Sequence, residues 1–205
     1  MPESIADVYY ERTGERYLYN ITAIENIPSI MRRGIICYDF ARKLQHNSIA
    51  INDVQARRAR KRVPNGLRLH QYANLYFTYH NPMMYRRQDM AETICVLVLF
   101  ASVLDIEECV VSDMNAATDL VRFYPAYEGI EVLDFDKIFA AYWTHSNVHE
   151  HRMHKAIKCA EILIPHKISS QYIVGAYVVS NESKRALESK GFDKEIIVRP
   201  SVFFH

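Results

Sequence analysis

The chain has 205 residues, 49% of them hydrophobic and 24% charged, a formal net charge of +1 and four cysteines. That balance suits one folded domain and excludes a disordered chain; cysteines without CxxC spacing exclude a disulfide scaffold. The longest apolar run, ICVLVLFASVL, is too short to cross a membrane, and no signal peptide opens the chain. Cys37, Cys95, Cys109 and Cys159 are expected as reduced thiols of a cytoplasmic protein. The near-neutral total hides an asymmetry. Residues 41–90 hold ten Lys/Arg against two Asp/Glu, a local balance of +8. Such a segment points to an anionic partner, or to a helix with a wet, charged face.

In chain order, the first fifteen residues read as polar and loose. RYLYNIT is a predicted strand. AIENIPSIMRRGI is a predicted helix, with Ile24, Ile27, Ile30 and Met31 on one face and Gly34 as its stop. SIAINDVQARRARKRV predicts a second helix, ended before Pro64. NLYFTYH predicts a strand running into a turn at Asn81-Pro82. TICVLVLF is a buried strand and CVVSD another. FDKIFAAYW and the segment around EHRMHKAI read as helical. AEILIP, YIVGAYVVS and EIIVRP are strands, and NESKRALESKGF is a helix capped by Asn181 and ended by Gly191. Early and peripheral helices around many strands predict an α+β fold with a central mixed or antiparallel sheet, in one domain over 1–205.

Two residues stand out chemically. Glu161 sits in CAEILIP among aliphatic residues, where a carboxylate is costly unless paired or hydrogen-bonded. It is either an edge-strand Glu facing water or a carboxylate held in a cleft. Arg58 is its candidate partner. Residues 51, 54, 55 and 58 share one helical face, so Arg58 emerges beside Ile51 and Val54, while Arg57, Arg60 and Lys61 point elsewhere. An inward arginine can grip a phosphate with two parallel donors or form a structural ion pair. His145, His149, His151 and His154 crowd around THSNVHEHRMH, but HExxH is missing and no cysteine lies nearby, so a substrate-touching loop fits better than a metal site. Trp143 beside it offers a ring for a base. No GxGxxG or GxxxxGK[ST] motif occurs, so a nucleotide would be held another way.

Four stretches together, YLYNITAIENIPSIMRRGI, INDVQARRARKRVP, LHQYANLYFTYHNPMMY and KAIKCAEILIP, resemble the DarT-type DNA ADP-ribosyltransferase toxins of bacterial toxin–antitoxin systems. They occur in the family's order and cover most of residues 17–165. The resemblance implies an ADP-ribosyltransferase fold with a split central sheet around an NAD cleft. It implies catalytic roles for Arg58, with Arg57 as the one-residue alternative, and for Glu161. It implies NAD contacts at Asn20, Thr22, Asn26, Arg58, Met84 and Tyr85. Thr22 and Asn26 keep the family's first motif, while Asn20 and Ala23 depart from it. Those departures, with YANLYF in the later motif, favour guanosine over thymidine as acceptor. The loop with Trp143 and His145 would help choose the acceptor, and Arg57, Arg60 and Arg62 would track single-stranded DNA.

The implied chemistry is ADP-ribose transfer from NAD, without a metal, to a base of single-stranded DNA. An antitoxin that reverses the modification is implied by the family alone, and no membrane is. The alternatives are transfer to RNA or protein, a non-catalytic nucleic-acid-binding module, and a hydrolase with a metal at the histidines.

Overall fold

A computed structural model describes residues 4–204. The first surprise lies at the start. Residues 5–13 are not loose but form helix α1 (Ile5–Thr13). Ser4 caps it by accepting the Asp7 amide, and Gly14 ends it at a φ of 71°. Its hidden anchor is Tyr9, fully buried against Phe77 and Phe135.

Strand β1 (Tyr17–Ala23) and helix α2 (Ile27–Arg33) follow as expected. Gly34 stops α2 for two reasons: its φ is 85°, and a Cβ there would lie 2.1 Å from the Ile168 carbonyl oxygen. Next come β2 (Ile35–Ile36) and α3 (Tyr38–Ala41). The second predicted helix is cut short. Helix α4 spans Asn52–Arg58, leaving residues 42–51 as an irregular strap before it and the rest of the basic run in turns after it. Strand β3 (Tyr72–Tyr76) begins two residues earlier than expected, and α5 (Pro82–Tyr85) follows the Asn-Pro turn.

The second half holds β4 (Ile94–Phe100), β5 (Val110–Ser112), β6 (Phe123–Pro125), α6 (Ala126–Val132) and α7 (Phe135–Phe139). Helix α7 ends before Trp143, shorter than predicted. Helix α8 (Val148–Ile157), β7 (Glu161–Pro165), β8 (Lys167–Ile168), β9 (Ile173–Val178), α9 (Asn181–Ser189) and β10 (Glu195–Val198) complete the fold. Ser180, not Asn181, caps α9 by accepting the Ser183 amide.

The main sheet runs β10-β9-β4-β1-β3-β7-β5-β6, while β2 and β8 pair separately. All its pairings are antiparallel except β10 with β9. Strand β4 is apolar throughout because both faces are covered: Leu97 and Leu99 join the larger core, Val96 and Val98 the smaller one. The ladder is interrupted at its middle. Among the described residues, β1 meets β3 only where Tyr19 stands opposite Tyr76. Beyond that pair the strands part, and the Asn20 Nδ2 donates to the Asn74 carbonyl at 3.2 Å across the gap. The sheet is thus two halves joined at one register point.

Candidate active site

The gap holds the two residues singled out above. Glu161 opens β7 directly opposite Tyr76, and its side chain is 1% exposed. Arg58 closes α4 and is also buried. Its Nη1 donates to Glu161 Oε1 at 2.9 Å and Oε2 at 2.8 Å. The Ala116 amide donates to Oε1 at 3.0 Å. The Glu161 amide donates to Ser112 Oγ at 3.1 Å, and that hydroxyl donates to the Met114 carbonyl at 2.7 Å. The carboxylate is therefore fixed from several segments. The structure separates the two neighbouring arginines: Arg58 is inside and paired, Arg57 is exposed at the cleft rim.

Two cavities meet here. The smaller, about 200 Å³, is walled by Thr22, Asn26, Ile30, Ile36, Tyr38, Leu44 and His46. The larger, about 450 Å³, is walled by Ile49, Ala50, Tyr76, Pro82, Met83, Asn115, Cys159 and Glu161, with Arg57, Arg86 and Lys155 also lining it. Asn20, Ile21, Gln55, Arg58 and Asn74 border both. Burial, with the Glu161 charge adding to it, pushes the Tyr76 phenol well above its usual range. Burial, again reinforced by Glu161, raises the Cys159 thiol to about 12, so it stays a neutral thiol and not a nucleophile.

The strap over residues 42–51 supplies walls to both cavities, and distant side chains hold it. Asn26 donates from Nδ2 to the Asn47 carbonyl at 2.9 Å and accepts the Asn47 amide at 2.9 Å. The same Nδ2 lies 3.3 Å from Thr22 Oγ1. Arg87 donates from Nε to the Ile49 carbonyl at 2.6 Å and from Nη2 to the Ala50 carbonyl at 2.9 Å. Asn26 thus borders the smaller cavity, yet its amide is engaged in fastening the strap.

Other expected contacts lie elsewhere. Met84 is buried in the smaller core, and Met83 lines the cleft instead. The cause is local: Asn81 accepts the Met83 and Met84 amides, and the short turn of α5 aims Met84 inward. Tyr85 is exposed and flanks Trp143 and Phe204, outside both cavities. Trp143 is buried against His80, Tyr85 and Phe204, so its ring is not an open platform. His145 Nε2 shares a 2.7 Å hydrogen bond with His154 Nδ1, and His154 Nε2 lies 3.0 Å from the Lys137 carbonyl. His145 therefore faces α8 and not the cleft. No group of three or more possible metal ligands occurs among the described residues. Arg60 and Arg62 are exposed after α4, with Arg62 donating to the Gly66 carbonyl at 2.9 Å; Lys61 pairs with Asp119 at 3.3 Å.

Gln55 was missed as a site residue, although it shares the Arg58 face. Its Oε1 is buried without a hydrogen-bond partner among the described residues. A buried acceptor left open at the junction of two cavities fits a ligand that brings its own donors, as the ribose hydroxyls and carboxamide of NAD do. Arg86 and Lys155 were missed because nothing local distinguishes them from solvated cations.

A large, mostly antiparallel sheet broken at its middle, with helices around it, is an ADP-ribosyltransferase-like fold, and the Glu161–Arg58 pair stands at the break between two cavities. Known proteins share that fold. Residues 19–204 match the family described as "ssDNA thymidine ADP-ribosyltransferase, DarT", and the chain belongs to that family. A Thermosipho africanus protein named as a fusion of DNA ADP-ribosyl transferase and DNA ADP-ribosyl glycohydrolase is 25% identical over 92% of this chain and 50% of its own length. A Thermus aquaticus DNA ADP-ribosyl transferase is 31% identical over 65% of this chain and 64% of its own. The chain thus spans half to two thirds of the length of these curated relatives. The structure of Thermus sp. 2.9 DarT with ADP-ribosylated ssDNA superposes with a TM-score of 0.77 at 26% identity, covering 92% of this chain and 96% of that one. The same protein with NAD+ superposes at 0.74 and 23% identity, over 92% and 98%. No helix among the described residues is long and apolar enough to cross a membrane.

Proposed function

We propose that the protein transfers ADP-ribose from NAD to a base of single-stranded DNA. The observation that carries this reading is the anchored Glu161–Arg58 pair at the junction of the two cavities. Donor and acceptor need separate access to one carboxylate, and this arrangement offers it. The smaller cavity, with the open Gln55 acceptor and the Asn20 amide at its border, suits the nicotinamide–ribose end of NAD. The larger one, lined by Arg57, Arg86 and Lys155, suits a polyanionic acceptor.

The reaction breaks the bond between the ribose carbon and the nicotinamide nitrogen, and nicotinamide leaves with the electron pair. A ring nitrogen of the base supplies the new pair, and its proton goes to a general base. Glu161 is placed for both demands: it stabilises the positive charge developing on the ribose and accepts the proton. Arg58 orients that carboxylate through one nitrogen, leaving Nε and Nη2 for the phosphates of the donor. A buried target nitrogen in a duplex would not reach the floor of this cleft, which supports a single-stranded acceptor.

Thymidine is the base we propose. Asn20, Ala23 and YANLYF favour guanosine in the sequence, but Ala23 is packed in the core and the Asn20 amide is engaged with the Asn74 carbonyl of YANLYF, so these departures give weak grounds for a change of base. The family description supports thymidine. The Thermosipho relative, whose name joins the transferase to a glycohydrolase, supports a toxin-like role with a partner that removes the modification.

The test is mass spectrometry of single-stranded oligonucleotides incubated with the protein and NAD. A gain of one ADP-ribose, mapped to thymine by fragmentation, is the expected result. An adduct on guanine would keep the enzyme and restore the other base. NAD cleaved without a DNA adduct would shift the acceptor to RNA or protein. NAD left intact would favour a binding module.

A further inference from the structure

We propose that Tyr85 is a stacking platform for the nucleobase next to the acceptor base, and that Arg86 pairs with the adjoining backbone phosphate. This inference rests on single-stranded DNA being the acceptor. A base turned into the larger cavity leaves its neighbours outside, and an unstacked neighbour needs a new partner. The residues at that mouth supply one. Pro82 and Met83 of α5 line the cavity, and the same short helix ends in Tyr85, which is 49% exposed.

An exposed tyrosine alone would mean little. Here the ring is propped edge-to-face, against Trp143 at 6.4 Å and 79° and against Phe204 at 5.4 Å and 87°. Trp143 and Phe204 contact each other at 5.9 Å, and His80 lies 4.4 Å from Phe204. The support is a packed aromatic cluster, with Trp143 itself buried, so little side-chain entropy is lost when a base stacks on Tyr85. The next residue, Arg86, both lines the cavity and faces solvent. It has no acidic partner within salt-bridge distance among the described residues. An aromatic face followed immediately by an unpaired cation, at the edge of a cavity also lined by Arg57 and Lys155, matches the alternating base and phosphate of one strand. Stacking does not read base identity, so the platform sets the path of the strand and leaves choice of base to the cavity.

The experiment measures kcat/KM at saturating NAD for oligonucleotides carrying one acceptor base, either intact or with an abasic site immediately 5′ or 3′ of it. The wild-type protein should lose roughly 5- to 150-fold on one of the two abasic strands, the range expected for one base–aromatic stack. Tyr85→Ala should lose a similar factor on the intact strand and little more on that abasic strand. Tyr85→Phe should stay near wild type, and KM for NAD should not move in either variant. Arg86→Ala should weaken the salt dependence of kcat/KM. The proposal is overturned if Tyr85→Ala matches wild type on intact strands, if the abasic penalty persists undiminished in it, or if its KM for NAD rises. Failure of the acceptor reading looks different: the wild-type protein would then modify no oligonucleotide at all.

Discussion

Strand β1 has two neighbours and treats them differently. Against β4 it pairs along its whole length, from Tyr17 opposite Phe100 to Ala23 opposite Ile94. Against β3 it pairs at Tyr19 and then yields to a polar gap. On the closed side the backbone is satisfied by the ladder and the side chains pack against other apolar side chains. On the open side, side chains take over from the ladder: Asn20 reaches a backbone carbonyl, Arg58 meets Glu161, and Gln55 keeps an open acceptor. The contrast teaches that reactive groups lie where regular pairing stops, because only there can a buried polar group keep hydrogen-bonding capacity for a substrate.

The largest effect should come from the carboxylate on the open side. Glu161→Gln should lower ADP-ribose transfer by roughly 10²–10³-fold or more while the fold survives, since the amide keeps part of the network. Wild-type turnover in that variant, measured by adduct formation, would move the chemistry elsewhere. Glu161→Ala should in addition lose about 3–5 kcal/mol of stability, because it strands the Arg58 guanidinium in a buried site.

Neighbouring arginines sharpen the comparison next. Arg58→Ala should cost both transfer and stability, whereas Arg57→Ala should leave the unfolding free energy within about 0.5 kcal/mol of wild type and alter oligonucleotide binding alone. Equal losses in the two variants would mean that burial of Arg58 confers no distinct role.

Arg87 tests whether this end of the strap belongs to the acceptor side. Arg87→Ala releases the carbonyls of Ile49 and Ala50, which wall the larger cavity, and KM for the oligonucleotide should rise about tenfold with KM for NAD and kcat largely kept. Arg87→Lys should not restore it, since one ammonium cannot serve two carbonyls as the guanidinium fork does. A fall in kcat alone would place the strap in the chemical step.

The smallest effect lies behind the cleft, where α8 meets the end of α7. Lys158 is buried and donates from Nζ to the carbonyls of Ile138 and Ala140, both at 2.8 Å, closing the end of α7. Burial lowers its pKa to about 8, against about 10.4 in an unfolded chain. Below pH 8 both states hold the proton, and the cost of burying an ammonium is constant. Between about pH 8 and 10.4 the unfolded chain holds a proton that the folded one has released, so this group's contribution to stability rises with pH. The stability advantage of wild type over Lys158→Met should therefore grow from pH 8 to pH 10 in denaturant titrations; a constant difference would refute the lowered pKa.

Much of this was readable from one dimension. The apolar runs of β4 and β7 announced themselves because both faces are covered, and Gly34 marked a helix end. The buried Glu161–Arg58 pair was legible for a related reason: a carboxylate inside an apolar run must find a partner, and Arg58 shares a helical face with Ile51 and Val54. Helix α1 was not legible, because its buried anchor is a tyrosine in a polar stretch. The strap was not legible either. Its fastenings are side chain–backbone hydrogen bonds that join residues 21 and 38 positions apart, which no local period records.

The sequence by itself determined which groups must be buried and which charges must be paired, since hydrophobic patterning and the cost of an unpaired buried charge act on residue type alone. Tertiary structure decided which neighbour faces inward. Arg58 over Arg57, Met83 over Met84 and the outward turn of Tyr85 each depend on where a short helix starts and stops. Those boundaries are set by caps and packing between distant segments, and a shift of one residue turns a helical side chain by about 100°.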